Sequence, residues 1–321
     1  MVRPFHIRDL NVIQRLAPLG RSLAFEAAAI DGLNPLREAA RGYMTPVIED
    51  TLTLIRRGSD GEDAFALLKL IHPAEKDKYP GCAALMFMAP HPDNQARAEA
   101  WANLVEEATR VAGERGAGVM LAEAPDGSRE AEVLQATGFI PLIHQDVLKL
   151  AQSRDQTDAP RPDGLREQNL KDERDDALVY WLAQKVVPKP IQRTETGMEP
   201  NRVLHTPHWG YLLLRDNEPL GHISISQGKR AYGLRVLMRP EAEPLTRAAI
   251  EYALAARCRR AARPVYACIP TYESWALPAF DALGFAHVTS TILLARHSTL
   301  KVRQPVWNTV VSGAKKISEA K

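Results

Sequence analysis

The residues best placed for chemistry lie where Pro90 and Pro92 end an apolar run and Gln95 begins a new pattern. From Gln95 the apolar residues Ala98, Trp101, Ala102, Val105, Ala108 and Ala112 recur every three or four positions, the period of a helix. The first-turn amides of a helix are unpaired and its dipole is positive there, so the start Gln95-Ala96-Arg97-Ala98-Glu99-Ala100 suits a phosphate group. A second candidate is His222, which shares one face of a strand with Ser224 and Ser226, while Gly221, Ile223 and Ile225 take the other. An imidazole there titrates near neutrality and could line an acceptor cleft. The alternative is a hydrogen-bonded histidine on a half-exposed strand. Glu62, Asp63 and His72 flank a comparable strand in the first half, either as acid–base groups or as solvated loop charges.

These residues need elements to hold them. Leu85 to Ala89 is a short apolar run, as in a strand covered on both faces. After the helix, Gly113, Gly116 and Gly118 mark its end, and Val119 to Ala122 is a second buried strand. The same layout recurs: a strand at Gly233 to Met238, a stop at Arg239-Pro240, a helix over Glu243 to Arg260 and a strand at Val265 to Ile269. Pro90 and Pro240 are 150 residues apart, while Gly138-Phe139 and Gly284-Phe285 are 146 apart. Ile7-Arg8-Asp9 and Leu165-Arg166-Glu167 open the two halves, 158 apart. Landmarks in one order at nearly one offset predict two diverged copies of one domain, each long helix packed on its own sheet.

The remaining elements follow in order. A strand near Val2 to Arg8 precedes a helix capped by Asp9, and a second helix is expected near Asn34 to Tyr43. Strands are expected at Thr51 to Arg56, Ala64 to Ile71 and Phe139 to Leu150, with a short helix over Ser128 to Ala136. In the second half, a helix runs from Lys171 to Lys185. Tyr211 to Leu214 and Gly221 to Ser226 form a hairpin around Arg215 to Pro219. A short helix over Glu273 to Leu283 and a strand from Phe285 to Arg296 close the half. The boundaries read as residues 1–153 for the first domain, 154–163 for a polar, Pro-bearing linker, 164–297 for the second domain and 298–321 for a tail. Trp307 is the residue expected to anchor that tail.

With 321 residues, 45% of them hydrophobic and 25% charged, the composition is that of an ordinary globular protein of two domains. A net charge of +2 gives no electrostatic case for nucleic acid or a membrane surface. Three cysteines in apolar patterns read as buried thiols of a reducing compartment, here the cytoplasm, and not as disulfides. The stretch MVRPFHIRDLN has no apolar signal core, and no apolar segment is long enough to span a bilayer. His205-x-x-His208 lacks a third ligand, so no metal is expected.

The order of three strands, long helix, strand, short helix, Gly-Phe and strand resembles the GNAT acyltransferase superfamily. LQATGFIPLIHQDVLKL and FDALGFAHVTSTILLARH resemble its closing helix and strand, and YLLLRDNEPLGHISI its second and third strands. The resemblance runs nearly the whole chain, twice, and implies a mixed α/β fold of two tandem GNAT-like acyl-CoA N-acyltransferase domains. It implies transfer of an acetyl or other acyl group from coenzyme A to a small-molecule or peptide amine, by a monomer or homodimer. The alternative is a non-catalytic tandem module that binds or senses.

The superfamily's cofactor motif, Gln/Arg-x-x-Gly-x-Gly/Ala, falls on Gln95 to Ala100. This implies acetyl-CoA binding by Gln95, Ala96, Arg97, Ala98, Glu99 and Ala100, with Ala98 where glycine is usual. In the second half it falls on Glu243 to Ala248, where Glu243 and Thr246 spoil the cradle. The resemblance also implies that a backbone amide near Met88 polarises the thioester. The tyrosine that often protonates the leaving thiolate is replaced by Leu134 and Phe280. Substitute hydroxyls are Ser128, Thr137, Ser274 and, best placed, Tyr272, whose other reading is packing at a strand end.

Overall fold

The computed structural model describes residues 1–45, 50–58, 62–71, 81–151, 159–194, 208–258 and 263–297. The expected tail and the residue Trp307, the first half of the expected linker (154–158), His72 and His205 lie outside them. In chain order the first half comprises β1 (Val2–Pro4), α1 (Leu10–Leu16), β2 (Arg21–Ser22), α2 (Phe25–Asp31), α3 (Pro35–Met44), β3 (Thr51–Arg56) and β4 (Ala64–Ile71). It continues with β5 (Gly81–Ala89), α4 (Gln95–Glu114), β6 (Ala117–Pro125), α5 (Arg129–Ala136) and β7 (Ile140–Leu150). The second half holds β8 (Leu165–Glu167), α6 (Glu173–Val186), α7 (Lys189–Thr194), β9 (Trp209–Arg215), β10 (Glu218–Gln227) and β11 (Tyr232–Met238). It ends with α8 (Glu243–Cys258), β12 (Val265–Pro270), α9 (Leu277–Ala282) and β13 (Ala286–His297).

The strands make one sheet in the order β1-β3-β4-β5-β6-β13-β7-β12-β11-β10-β9-β8, with β2 beside β5. The sheet is continuous because the two halves exchange their last strands. β13, from the second half, pairs with β6 of the first, Leu294 opposite Ala122. β7, from the first half, pairs with β12 of the second, Leu148 opposite Ala267. The two exchanged strands pair antiparallel at the centre. The two largest apolar cores are each completed by the other half. Ile292 and Leu294 of β13 join Trp101, Leu104 and Val105 of α4. Leu148 and Leu150 of β7 join Ile250 and Leu254 of α8 and Phe280 of α9. Each long helix does pack on its own half's strands, but the sheet under it is finished by its neighbour.

Local chemistry explains the expected elements. The β9–β10 hairpin turns on Asp216 and Asn217, both at positive φ (52° and 66°), the demand of a two-residue primed turn. The first strand runs one residue and the second three residues closer to the turn than the polar pattern implied, with Arg215 opposite Glu218. Gly138 (φ +90°) and Gly284 (φ +86°) end the short helices before β7 and β13, conformations that a Cβ disfavours.

Three expectations change. The Leu165–Glu167 segment is strand β8, whereas Ile7–Asp9 is a single 3-10 turn, so the true counterpart of β8 is β1. The chemistry agrees: Arg3 of β1 holds Asp9, and Arg166 of β8 holds Asp175, each carboxylate also accepting a loop amide, from His6 and Asn169 respectively. Asp9 therefore does not cap the following helix with its side chain; Arg3 and Arg57 compete for the carboxylate. Finally, residues 20–33 hold β2 and α2 ahead of the expected helix α3.

Candidate functional site

In each half a parallel pair of strands starts together and then parts. β5 and β6 are paired from Gly81–Ala117 to Ala84–Leu121, after which β5 diverges toward α4. β11 and β12 are paired from Tyr232–Val265 to Leu234–Ala267, after which β11 diverges toward α8. Each opening therefore faces the N-terminus of a long helix, where unpaired amides and a positive dipole favour an anion.

At the first opening the cradle is set by Asn94, whose side chain accepts from the Arg97 amide. The Gln95 and Ala96 amides lie outside that cap. Gln95 and Ala96 are exposed, and Gln95 Nε2 donates to Glu99 Oε1 at 3.2 Å. Ala98 and Ala100 belong to the apolar core. The Ala98 methyl thus packs inward. Arg97 is held by Asp93, at 2.8 and 2.9 Å, and lies 3.5 Å from Glu62.

The groove behind this cradle is filled by the chain itself. Arg21 and Ser22 of β2 pair with Met88 and Phe87 of β5. Leu23 then stitches the parted strands, its N–H donating to Met86 O (2.9 Å) and its carbonyl accepting from Glu123 N (2.7 Å). Phe25 N donates to the Glu123 carboxylate at 2.8 Å. Gly20 permits the approach, since a Cβ there would lie 2.4 Å from the Phe87 ring. Leu23 and Ala24 are buried. The Met88 backbone, expected to meet a thioester, thus faces Arg21. A phosphate fits the α4 end of this site, but an extended chain beyond it does not fit beside β5 while residues 21–24 are there.

Glu123 is the polar centre of the stitch. Gln145 of β7 and Thr291 of β13 both donate to it, at 2.9 and 2.8 Å. Burial pushes its carboxyl above the ordinary carboxylate range, and these donors together with the Phe25 amide oppose that. Burial also pushes the nearby Cys268 thiol up to about 12. All three cysteines are buried thiols outside any disulfide, so none is an exposed nucleophile.

At the second opening side chains, not backbone, occupy the gap. Met238 stands 150 residues after Met88, and its amide donates to the buried Glu273 carboxylate at 2.8 Å. Arg235 pairs with Glu26 of α2, and burial lowers its guanidinium to about 10, leaving it charged at neutral pH. Thr246, in the glycine position of the motif, is buried and donates to Ala242 O.

The acid–base candidates sit apart. His222 is only 3% exposed, and its Nε2 lies 2.8 Å from Gln168 Oε1, the arrangement of a structural histidine. Tyr272 borders the second opening but packs with Ile143, Leu182 and Leu237. Leu134 and Phe280 are fully buried, so neither tyrosine-equivalent position faces a cleft. Ser128 caps α5 and Thr137 donates to Leu134 O. Glu62 and Asp63 take part in the ion pairs of Arg97, Arg15 and Arg57. His208 Nδ1 accepts from the Gln227 amide. Among the described residues no three His, Cys, Asp or Glu side chains gather to hold a metal, and no helix is long and apolar enough to cross a membrane. Sequence reasoning missed Leu23, Glu123 and Glu273. The signal for Glu123 was an acid inside the apolar run Val119 to Ala124.

No family model matches the sequence. No curated protein matches it either. Solved structures do. A tandem GNAT protein from the clavulanic acid biosynthesis pathway, solved without AcCoA, is 16% identical over 93% of this chain and 98% of its own (TM-score 0.48). A putative acetyltransferase from Pyrococcus horikoshii is 16% identical over 94% and 90% (TM-score 0.49). A GCN5-related N-acetyltransferase from Sphaerobacter thermophilus superposes over 92% of this chain and 95% of its own at 13% identity, with a TM-score of 0.56. Two partings of parallel strands before two long helices, closed by two Gly-Phe strands and matched end to end by that structure, give this chain the GNAT fold in tandem form.

Proposed function

We propose that the protein is an acyltransferase that moves an acetyl or other acyl group from coenzyme A to an amine. The observation that carries this reading is the parting of β5 and β6 before α4, whose Gln95 and Ala96 amides lie outside the Asn94 cap. Arg97 adds a charge there that exchanges Asp93 for phosphate. Access to Met88 requires residues 21–24 to withdraw from β5. The second half is the weaker site, because Glu243 repels phosphate and Glu273 already holds the Met238 amide. With neither tyrosine position open, the reaction rests on positioning the amine against the thioester.

A second reading, a non-catalytic module that binds or senses, is favoured by one observation: Leu23 bonds both strands of the first opening at once. Titration calorimetry with acetyl-CoA, run with a thiol-release assay over a panel of amines, separates the two. Binding that Arg97→Ala weakens and Arg247→Ala does not, with turnover, supports the enzyme in the first half. Binding without turnover on any amine supports the module. Absence of acetyl-CoA binding overturns the enzyme and any module that reads acyl-CoA, and leaves only a module that binds a partner.

A further inference from the structure

A cavity of about 410 Å³ lies between α2, α3 and the first half's sheet. Its floor is apolar, made by Leu67 of β4, Met86 of β5, and Ala27 and Leu33 beside them. Its wall carries Lys69 of β4 and Lys229 from the β10–β11 turn, so both halves contribute. Arg37 and Arg41 stand on α3, and Asp31, Glu38 and Asp50 complete the charged groups. These are not equivalent. Arg37 donates to Glu38 at 2.9 and 3.1 Å, and Arg41 lies 4.0 Å from the same carboxylate. Glu38 is thus taken by the two arginines, and Lys69 and Lys229 are the cations that the cavity presents from outside α3. Lys69 is a partly buried cation on a strand, and Lys229 is exposed at the rim.

We propose that this cavity binds a small organic acid, its carboxylate between Lys69 and Lys229 and its apolar body on Leu67 and Met86. The volume is that of a small-molecule site, and an apolar floor with a few convergent polar groups is how such sites recognise ligands. Two cations from separate elements place the carboxylate, and the floor selects an aliphatic or aromatic body over a bare anion. This site does not depend on the acyltransferase reading.

The test uses the full chain and four probes: hexanoate, hexylamine, 6-aminohexanoate and inorganic phosphate, each titrated by calorimetry and followed by NMR. Hexanoate should bind, and Lys69→Met and Lys229→Met should each weaken it at least about threefold, the effect of losing one partly exposed ion pair. Lys171→Met, remote from the cavity, should leave it unchanged. A gain for 6-aminohexanoate over hexanoate would place Asp31 or Asp50 against the ligand's amine and still support the site. Hexylamine binding as well as hexanoate, phosphate binding as well as hexanoate, or hexanoate binding untouched by either lysine variant would each overturn the proposal. So would absence of hexanoate binding in a wild-type chain shown to be folded by its NMR spectrum.

Discussion

Glu26 and Arg235 are 209 residues apart in sequence and form an ion pair between α2 of the first half and β11 of the second, with Arg235 Nε 3.1 Å from Glu26 Oε1. Both side chains are nearly sealed from solvent. Beside them Phe25 meets Tyr266 edge-on, and Ile30 O accepts the amides of Arg230 and Ala231. A short helix of one half is thus fastened to the sheet of the other. Removing one partner of a buried pair strands the other charge, at a cost of about 3–5 kcal/mol. Glu26→Gln should lower stability by that order in urea unfolding. Arg235→Met should cost less than the sum implies when combined with Glu26→Leu, since the double change leaves no charge behind. An additive cycle would show that the pair is not coupled.

The strand exchange makes a second prediction. Leu294 lies in β13 yet fills the first half's core, so Leu294→Ala should cost about 2–5 kcal/mol and expose the amides of α4 to exchange. For the same reason the two halves should unfold in one transition. Two separated transitions in urea, read by far-ultraviolet circular dichroism, would contradict that coupling.

Acid stability should depend on Asp9. Arg3, the His6 amide and Arg57 hold its carboxyl down to about 2. A carboxyl lowered on folding stabilises the protein above its unfolded pKa, near 4, and that contribution disappears as pH falls through the folded value. The expected gain at neutral pH is about 2 kcal/mol, lost between about pH 4 and pH 2. Asp9→Asn should remove the gain at pH 7 and flatten stability over that range. Asp175, lowered in the same way by Arg166, should add a parallel slope.

Much of the fold was legible because its periodicities are local. The apolar run before Pro90, the three-to-four spacing from Gln95 and the glycines that close the short helices each report their own segment. The exchange was not legible. Ile140–Leu150 and Ala286–His297 look alike as strands, and nothing in an apolar alternation names the strand that will lie beside it. The candidate site divides likewise. The α4 start was visible as a helix N-terminus, but Leu23 closes the groove through its backbone, which any residue type supplies. His222 was visible as a polar residue on a strand, while Gln168, which occupies it, lies 54 residues away.

The stitch at Leu23 gives the last prediction. Residues 21–24 and an extended ligand would compete for the same edge of β5, so only molecules with the segment withdrawn can bind along it. Apparent affinity is then reduced by the fraction of molecules in that open state. Leu23 is held by two backbone bonds and by a side chain that is 1% exposed. Leu23→Ala keeps the bonds and removes buried apolar area, costing the closed state about 2–3 kcal/mol. If the closed state dominates, that raises the open fraction about 30- to 150-fold at most. Acetyl-CoA should therefore bind Leu23→Ala more tightly than wild type, while the unliganded variant melts at a lower temperature. Hydrogen exchange at the Leu23 and Phe25 amides should quicken in the variant and quicken further with ligand. Weaker binding in Leu23→Ala, with exchange at Leu23 unchanged, would mean that residues 21–24 are part of the binding surface and do not block it.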